Sequence, residues 1–291
     1  MTNIIYEIEI GDMKLSVIDA NFPKDENILL PHFHPMFEFQ YVLQSSVKIK
    51  TNETAYDVPE GCYALIPPNL FHWTNFDKVS FSRFAFLFSV SPLKKGGDFS
   101  EYEHYRKIFE SITDIAICDN PQIGECLNSI IAIANENNNS DIHVLKIYFS
   151  LLFIKMAEDV TKLMKLEGKE AVSDRKNTDK DLKLRSVIGE YVITNYAKEN
   201  VLASLSEILH MSTRNTSRTV KKLFGVTLGT LVLNQRMNFA RTHIKETDIP
   251  IRLVAELAGY NDYSAFFKTF KKQFGCSPDS LRNIANKDKK I

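Results

Sequence analysis

Apolar and polar residues alternate along the first third of the chain in the way that half-buried strands require. Val47 and Ile49 alternate with lysines, and after a polar break at 51–53 the segment 56–58 resumes the alternation. An aromatic-rich run, 81–90, has the same strand character. Several short strands separated by turns predict a sandwich or a barrel, and we favour a barrel of the jelly-roll type.

The middle of the chain changes to helical spacing. Segments 101–111 and 122–135 have apolar residues at helical intervals, and 141–166 repeats them at steps of three and four. The apolar seam of this third segment consists of Ile142, Leu145, Phe149, Leu152, Met156, Val160 and Leu163. Such a seam could pair with a partner helix or pack on the protein's own barrel, and the sequence alone leaves both alternatives open.

A repeat of about fifty residues occupies the C-terminal part of the chain. The stretch 205–225 reads LSEILHMSTRNTSRTVKKLFG, and 254–275 reads VAELAGYNDYSAFFKTFKKQFG. Each copy predicts a short apolar helix, a turn, a capping residue and a second helix that ends in Lys-Lys and Phe-Gly. Two such copies, joined by a helix predicted over 228–247, are typical of a protein that contacts DNA at two adjacent places.

The caps and turns of the two copies align residue by residue. Ser204 begins a capping-box pattern that predicts the start of the first helix in the first copy. His210 aligns with Gly259 in the interhelical turn, and Ser212 aligns with Asn261 as the cap of the second helix. The offset between the copies then grows by one residue, which we assign to the second helix of the second copy.

The second copy carries the most specific motif of the chain. Its positions are Ile251, Val254, Ala255, Ala258, Gly259, Tyr260, Asn261 and Asp262, then Phe266, Phe270, Lys271, Lys272, Gly275 and Pro278. With this motif, 182–291 resembles the DNA-binding domain of AraC/XylS-family transcription regulators, a double helix-turn-helix with a linking helix. The first copy departs from the family pattern, because Thr216 and Val220 replace bulkier apolar residues and His210 replaces the turn glycine.

The second helix of each copy is expected to enter the major groove of double-stranded DNA by its N-terminal residues. The expected contacts are Thr213, Arg214, Asn215, Arg218, Lys221 and Lys222 in the first copy, and Asp262, Tyr263, Ser264, Lys268, Lys271 and Lys272 in the second. Arginine pairs with guanine and asparagine with adenine, whereas the lysine pairs near the helix ends suit phosphate contacts. Two modules on one linking helix predict contacts roughly 10 base pairs apart.

A second pattern lies near the N-terminus. His32, His34 and Glu38 are followed by His72, and the whole resembles the two motifs of the cupin fold, although Asn69 stands where the second motif often has glycine. In metal-binding cupins the matching positions hold a divalent metal, and three imidazoles with a carboxylate would suit iron, manganese, nickel or zinc. Sensor domains of the regulator family resemble cupins and often bind an organic effector with no metal.

We therefore expect no resident cofactor, and we expect effector contacts by His32, His34, Glu38, His72 and Trp73. A divalent metal on the three histidines and the glutamate is the alternative, as is a purely structural role for these side chains in the barrel wall. Sugars and their derivatives are common effectors in the family that the chain resembles, but no residue selects one.

Charge is uneven although the net charge of the chain is zero. Residues 181–291 contain 18 Lys and Arg against 10 Asp and Glu, which is a net charge of +8. Residues 1–180 contain 18 against 26, which is −8. A basic module joined to an acidic one fits a DNA reader with a separate sensor.

Length and composition complete the picture. The 291 residues allow several domains, namely a cupin-like effector-binding barrel (1–95), a helical dimerisation region (96–167), a linker (168–181) and a DNA-binding domain (182–291). No leader pattern opens the chain and no run of about 18 apolar residues occurs, so we expect a cytoplasmic protein without a membrane partner. The four cysteines lack C-x-x-C spacing and are expected to be reduced thiols.

The expected fold class is therefore multi-domain, a jelly-roll barrel followed by helices and an all-α double helix-turn-helix. The expected function is that of a homodimeric, non-enzymatic transcription regulator controlled by a small-molecule effector, with RNA polymerase as a further partner. A metal-dependent cupin enzyme fused to a helix-turn-helix domain is one alternative. An architectural DNA binder with an inert barrel is another.

Overall fold

The computed structural model describes residues 4–21, 31–75, 82–93, 100–135, 142–166 and 175–288 of the chain. The strands are β1 (Ile4–Ile10), β2 (Met13–Asn21), β3 (Phe37–Gln44), β4 (Val47–Lys50), β5 (Ala55–Val58), β6 (Cys62–Ile66), β7 (Trp73–Asn75), β8 (Ser82–Pro92) and β9 (Ala116–Asp119). The helices are α1 (Ser100–Glu110), α2 (Pro121–Asn135), α3 (Ile142–Leu166), α4 (Arg175–Asn195), α5 (Val201–Ile208), α6 (Thr213–Phe224), α7 (Leu228–Glu246), α8 (Ile251–Leu257), α9 (Tyr263–Phe274) and α10 (Pro278–Asp288).

Two antiparallel sheets form the N-terminal part, which we call the sheet domain (β1 to β9 with α1 to α3). One sheet has the strand order β1-β2-β8-β3-β6-β9, and the other has the order β5-β4-β7. Side chains alternate along β3, so Phe37 and Phe39 enter a core shared with α1 to α3, whereas Val42 packs with Val47 and Ile49 of the smaller sheet. The space between the sheets therefore has an apolar centre.

The expected fold class is confirmed, since a sheet-rich domain precedes an all-α double helix-turn-helix. The division into domains is less simple than the sequence suggested. Strand β9 pairs with β6 although it lies inside 96–167, the segment expected to be helical. Helix α4 begins at Arg175, so the last part of the expected linker 168–181 is helical, while 167–174 lie outside the described residues.

The seam of α3 packs on the protein's own sheet. Its buried members, Leu145, Phe149, Leu152, Met156 and Val160, belong to the core of the sheet domain. The ring of Phe149 lies 5.6 Å from that of Phe86 in β8. Aromatic strand residues and the α3 seam thus bury one another, which decides between the two alternatives that the sequence left open.

The repeat is confirmed as two bihelical modules. We call α5 with α6 the first module and α8 with α9 the second module, and α7 joins them as predicted. Each second helix ends at a glycine in the left-handed region, Gly225 with φ 70° and Gly275 with φ 71°. Each module has its own apolar core, and the linking helix contributes Leu231 to the first and Met237 to the second.

The predicted start of α5 is wrong. The helix begins at Val201, after Asn200 in the left-handed region with φ 54°, so Ser204 lies inside the helix and caps nothing. Its backbone N–H donates to the Asn200 carbonyl at 3.2 Å as an ordinary helical residue. The capping-box spacing was coincidental, because the apolar contacts of Val201 extend the helix by one further turn.

The predicted cap of α9 is also wrong. Asp262 caps the helix, and its carboxylate accepts hydrogen bonds from the backbone N–H groups of Ser264 (3.1 Å) and Ala265 (3.0 Å). Asn261 instead donates to Glu199 at 3.0 Å. Helices α6 and α9 have the same 12-residue length, so the extra residue of the second copy lies in its turn and not in its helix.

The four cysteines are free thiols, as expected. Burial raises the pKa of Cys118 to about 11, which keeps this thiol protonated and unreactive at neutral pH. Among the helices described above, none has the length and hydropathy that a bilayer crossing requires.

Candidate effector site and DNA-binding surface

Three histidines and one glutamate meet at one end of the space between the two sheets. Glu38 lies in β3, and a two-residue backbone bridge pairs His32 with His72 through two N–H···O bonds of 2.9 Å. His34 follows His32 at the next position on the same side of the chain. One ligand atom from each of the four residues lies within 4.8 Å of the others. We call His32, His34, Glu38 and His72 the histidine cluster.

One carboxylate oxygen is the centre of the histidine cluster. Glu38 Oε2 lies 2.9 Å from Nε2 of His34, 3.0 Å from Nε2 of His72 and 3.9 Å from Nε2 of His32. Glu38 is buried, as is His72. The sequence-based grouping of these four residues is therefore matched by their placement in space.

The other carboxylate oxygen is held by residues that the sequence analysis missed. Gln40 Nε2 donates to Glu38 Oε1 at 2.6 Å and lies 3.5 Å from Thr74 Oγ1, and Arg83 Nη1 lies 3.8 Å from the same Glu38 oxygen. Gln40 stands two positions after Glu38 in a strand, so the period of two could have assigned it to the same face. Only the pairing of β3 with β8 brings Arg83 to this place.

The carboxyl group of Glu38 is charged despite its burial. Burial alone would raise its pKa, but hydrogen bonds with His34 and His72 outweigh that effect. The pKa of Glu38 is therefore held well below its usual range.

The outer nitrogens of two histidines are fixed by backbone carbonyls. Nδ1 of His34 lies 2.8 Å from the carbonyl oxygen of Met36, and Nδ1 of His72 lies 2.8 Å from that of Leu70. A carbonyl oxygen only accepts, so each Nδ1 carries a proton and each Nε2 is turned toward Glu38. Histidines that bind metals are commonly oriented in this way, with the far nitrogen donating to a carbonyl. The residues therefore fit a divalent metal by number, type and orientation.

Trp73 does not join the histidine cluster. His72 and Thr74 point to the Glu38 side of their strand, so Phe71 and Trp73 point to the opposite side, where their rings lie 6.5 Å apart. The structure thus brings together four of the five residues expected to contact an effector and separates the fifth from them.

The surface expected to face DNA is open to solvent. In α6, the side chains of Arg214, Asn215 and Arg218 are exposed, while Thr216 and Val220 are fully buried. The two departures from the family pattern thus fill the core of the first module. Ser212 caps α6 by accepting from the backbone N–H of Asn215 at 3.3 Å, which leaves the asparagine side chain available.

The remaining residues expected to contact DNA differ in their exposure and in the contacts that they make within the protein. Thr213, Lys221, Lys222, Ser264, Lys268, Lys271 and Lys272 are exposed, and Tyr263 is half-buried. Lys222 forms an ion pair of 2.7 Å with Asp181 of α4. Asp262 is engaged as the cap of α9, so its carboxylate is committed to the backbone.

Two family models match the chain. One describes an AraC-like ligand-binding domain and matches residues 14–153, and the other describes a helix-turn-helix domain and matches residues 205–284. The first contains the histidine cluster and the first half of α3. The second begins within α5 and ends within α10, so that it contains both second helices and the helix that links the modules.

Known proteins with this arrangement are similar along nearly the whole chain. The HTH-type transcriptional regulator YisR of Bacillus subtilis is 24% identical, with 99% of each chain covered. The transcriptional activator RhaS of Pectobacterium carotovorum is 21% identical over 87% of this chain and 88% of its own. A crystal structure of an apo variant of ToxT from Vibrio cholerae has a TM-score of 0.57 at 14% identity, covers 94% of this chain and 98% of its own, and shows the same fold. With a ligand-binding part and a double helix-turn-helix part in this order, the chain belongs to the AraC/XylS family of transcription regulators.

Proposed function

We propose that the first module reads base sequence and that the second module mainly secures the protein on the DNA backbone. The observation that carries this proposal is the exposed N-terminal half of α6, which presents Arg214, Asn215 and Arg218 from a capped helix. Arginine and asparagine can each form paired hydrogen bonds to a base edge. The equivalent part of α9 offers Ser264 and Lys268, which suit phosphate contacts.

Substitution of the two arginines tests this assignment. Arg214→Ala and Arg218→Ala should each weaken specific binding by about 1–3 kcal/mol, because each loses a pair of hydrogen bonds to a base. The measurement is a titration of the full chain with a duplex selected by the wild type from a randomised pool, at several salt concentrations. Arg252→Ala, which removes an exposed arginine of α8 paired only at 3.9 Å with Glu256, is the matched control. Wild-type binding by both α6 variants at every salt concentration would refute the assignment.

We further propose that the histidine cluster is the effector site of the sheet domain. It is the polar end of an otherwise apolar space, and its charged carboxylate and imidazole nitrogens converge on one point. A crystal structure of ToxT in its wild-type form holds an unsaturated fatty acid, which is a property of that protein. In this chain the imidazole nitrogens and the carboxylate oxygen of the histidine cluster converge, and they favour a ligand that these protein atoms can bind directly.

The same cluster could in principle serve catalysis, and we propose that it serves sensing instead. The relatives along the whole chain are transcription regulators. Since the target of such a regulator is DNA, the proposal places the protein in the cytoplasm. An effector that raises the thermal stability of the full chain and is recovered chemically unchanged would support sensing, whereas its conversion to a product would support the enzyme.

We propose that the protein acts as a homodimer through the outer face of α3. Val144, Ile147 and Leu151 stand at steps of three and four and are 40%, 65% and 40% exposed. This apolar stripe lies on the face of α3 that does not pack on the sheet, and it is continuous over two turns. Helix α3 would thus use one apolar face for its own sheet and the other for the partner.

A further inference from the structure

The two segments that carry the histidines also carry the side chains that contact the first module. Phe33 stands between His32 and His34, and Phe71 directly precedes His72. Because side chains alternate in extended backbone, the histidines point into the sheet domain and the phenylalanines point out of it. Both rings are 4% exposed, and both belong to the apolar core of the first module with α4 to α7.

The contact reaches α6, the second helix of the first module. The ring of Phe33 lies 5.5 Å from that of Phe224, the last residue of α6, in an edge-to-face arrangement. Asn52, in the turn between β4 and β5, donates its side-chain N–H to the Phe224 carbonyl oxygen at 2.9 Å. That carbonyl is one of those that a helix leaves without an intrahelical partner at its end. The sheet domain thus supplies a hydrogen-bond donor to the C-terminal end of α6.

Helix α4 approaches the same segments at a glycine. Gly189 lies in the middle of α4, and a Cβ at this position would come within 2.2 Å of Asn69 Oδ1 and 3.4 Å of the Phe33 ring. The backbone N–H of Asn69 in turn donates to the His34 carbonyl oxygen at 2.7 Å. The segment of His34 is therefore linked through Asn69 and Phe33 to a closely packed position of α4.

The donor atoms of the histidine cluster are spaced for one ion. Neighbouring ligand atoms of a tetrahedral or octahedral metal lie about 3.0 to 3.4 Å apart, since each is about 2.1 Å from the ion. The distances from Glu38 Oε2 to the three Nε2 atoms, 2.9, 3.0 and 3.9 Å, bracket these values. All four donor atoms lie within 4.8 Å of one another, which a single ion can bridge. Gln40 and Arg83 engage the second carboxylate oxygen and leave Oε2 as the ligand atom.

We infer that the effector of this regulator is a divalent transition-metal ion bound by His32, His34, Glu38 and His72, and that its binding secures the contact of Phe33 and Phe71 with the first module. The inference rests on the proposed function, in which the histidine cluster is the sensor. The bound ion holds segments 32–34 and 71–72 together on the inner side of the sheet domain. Phe33 and Phe71, on the outer side of the same segments, then keep their packing against α4 and α6.

Metal binding is tested on the full chain after treatment with a chelator. Zn²⁺, Mn²⁺, Fe²⁺ and Ni²⁺ are titrated separately in a calorimeter, and the bound metal is counted by mass spectrometry after dialysis. The wild type is expected to retain one ion per chain for at least one of them, and the double variant His34→Ala/His72→Ala is expected to retain none. His104→Ala, which removes an exposed histidine of α1, should behave as the wild type. Absence of binding by all four ions overturns the inference.

Coupling is tested by hydrogen–deuterium exchange of the backbone amides of 188–193 in the same full chain. The ion that binds should slow their exchange about five- to 150-fold in the wild type, the range of typical coupling between two sites. Phe33→Ala should still retain one ion while losing this protection. Gly189→Leu, which disturbs the α4 side of the same contact, should also lose the protection from exchange. Gly229→Leu, at a helical glycine with open surroundings, should keep the protection. Equal protection in Phe33→Ala, Gly189→Leu and the wild type overturns the inference.

These measurements contain no DNA, so they fail independently of the proposed function. A chain that binds its selected duplex through Arg214 and Arg218 but binds none of the four ions remains a regulator with another effector. The converse outcome is a chain that binds an ion with slowed amide exchange in α4 and shows no specific DNA binding. That result refutes the proposal that α6 reads base sequence, and it leaves the metal site intact.

Discussion

The interhelical turns show how one backbone angle is handled differently in the two modules. His210 has φ 51° and Gly259 has φ 83°, both in the left-handed region. A side chain with a Cβ is strained there by roughly 1–2 kcal/mol, and glycine is not. Gly259 is also needed for space, because a Cβ would come within 2.6 Å of the Ala197 carbonyl oxygen. His210 is exposed and tolerates its Cβ.

This difference predicts opposite effects of two matched substitutions. His210→Gly should raise the free energy of unfolding by about 0.5–1 kcal/mol, because it relieves backbone strain and removes only an exposed ring. Gly259→Ala should lower it by more than about 1 kcal/mol, because strain and the clash with Ala197 act together. Urea denaturation of the two variants beside the wild type provides the measurement. Destabilisation by both substitutions to the same extent would show that the imidazole contributes to the turn.

At the scale of elements, a buried carboxylate ties α3 to the sheet. Asp159 Oδ2 accepts from the hydroxyl of Tyr63 in β6 at 2.9 Å and from Nδ2 of Asn120 at 2.7 Å, and Lys162 Nζ lies 3.2 Å from Oδ1. Burial and the neighbouring charges raise the pKa of Tyr63, so its hydroxyl remains a donor. The network fixes the position of α3 along the sheet, which apolar packing alone specifies less strictly.

Removal of the acceptor should cost more than removal of one donor. Asp159→Ala leaves the Tyr63 hydroxyl and the Asn120 amide buried without their acceptor and should lower the free energy of unfolding by about 1–3 kcal/mol for each group. Tyr63→Phe leaves Asp159 with Asn120 and Lys162 and should cost about 1 kcal/mol. Thermal and urea denaturation at neutral pH compare the two variants. An equal loss in both would indicate that packing around Tyr63 matters more than the carboxylate.

Elements differ in how far the sequence could predict them. Helices α1, α2 and α7 and strands β4, β5 and β8 lie where periodicity placed them, because their apolar spacing follows one period over their whole length. The starts of α5 and α9 were missed by contrast. A cap is decided by which nearby side chain reaches the free N–H groups, and Asp262 competes better than Asn261 only in the folded turn.

For the whole molecule, the outer face of α3 predicts the oligomeric state. Ile147→Glu with Leu151→Glu should convert a dimer to a monomer in analytical ultracentrifugation, because two charges would be buried against the partner's apolar stripe. Lys165→Glu, at an exposed position of α3 that lies roughly 21 Å beyond Leu151 along the helix axis, changes charge outside the stripe and is the control. A dimer that survives the double substitution would place the interface elsewhere.

The sequence by itself determined the repeat, the paired helices of its two copies and the residue types of the histidine cluster. These features are local, because a helical period, a glycine stop and a His-x-His spacing each depend on neighbouring residues. Only the tertiary structure decided that α3 packs on its own sheet, that Trp73 faces away from Glu38 and that Phe33 meets Phe224. Each of these depends on contacts between segments far apart in the chain, where the burial of one surface selects the partner for another.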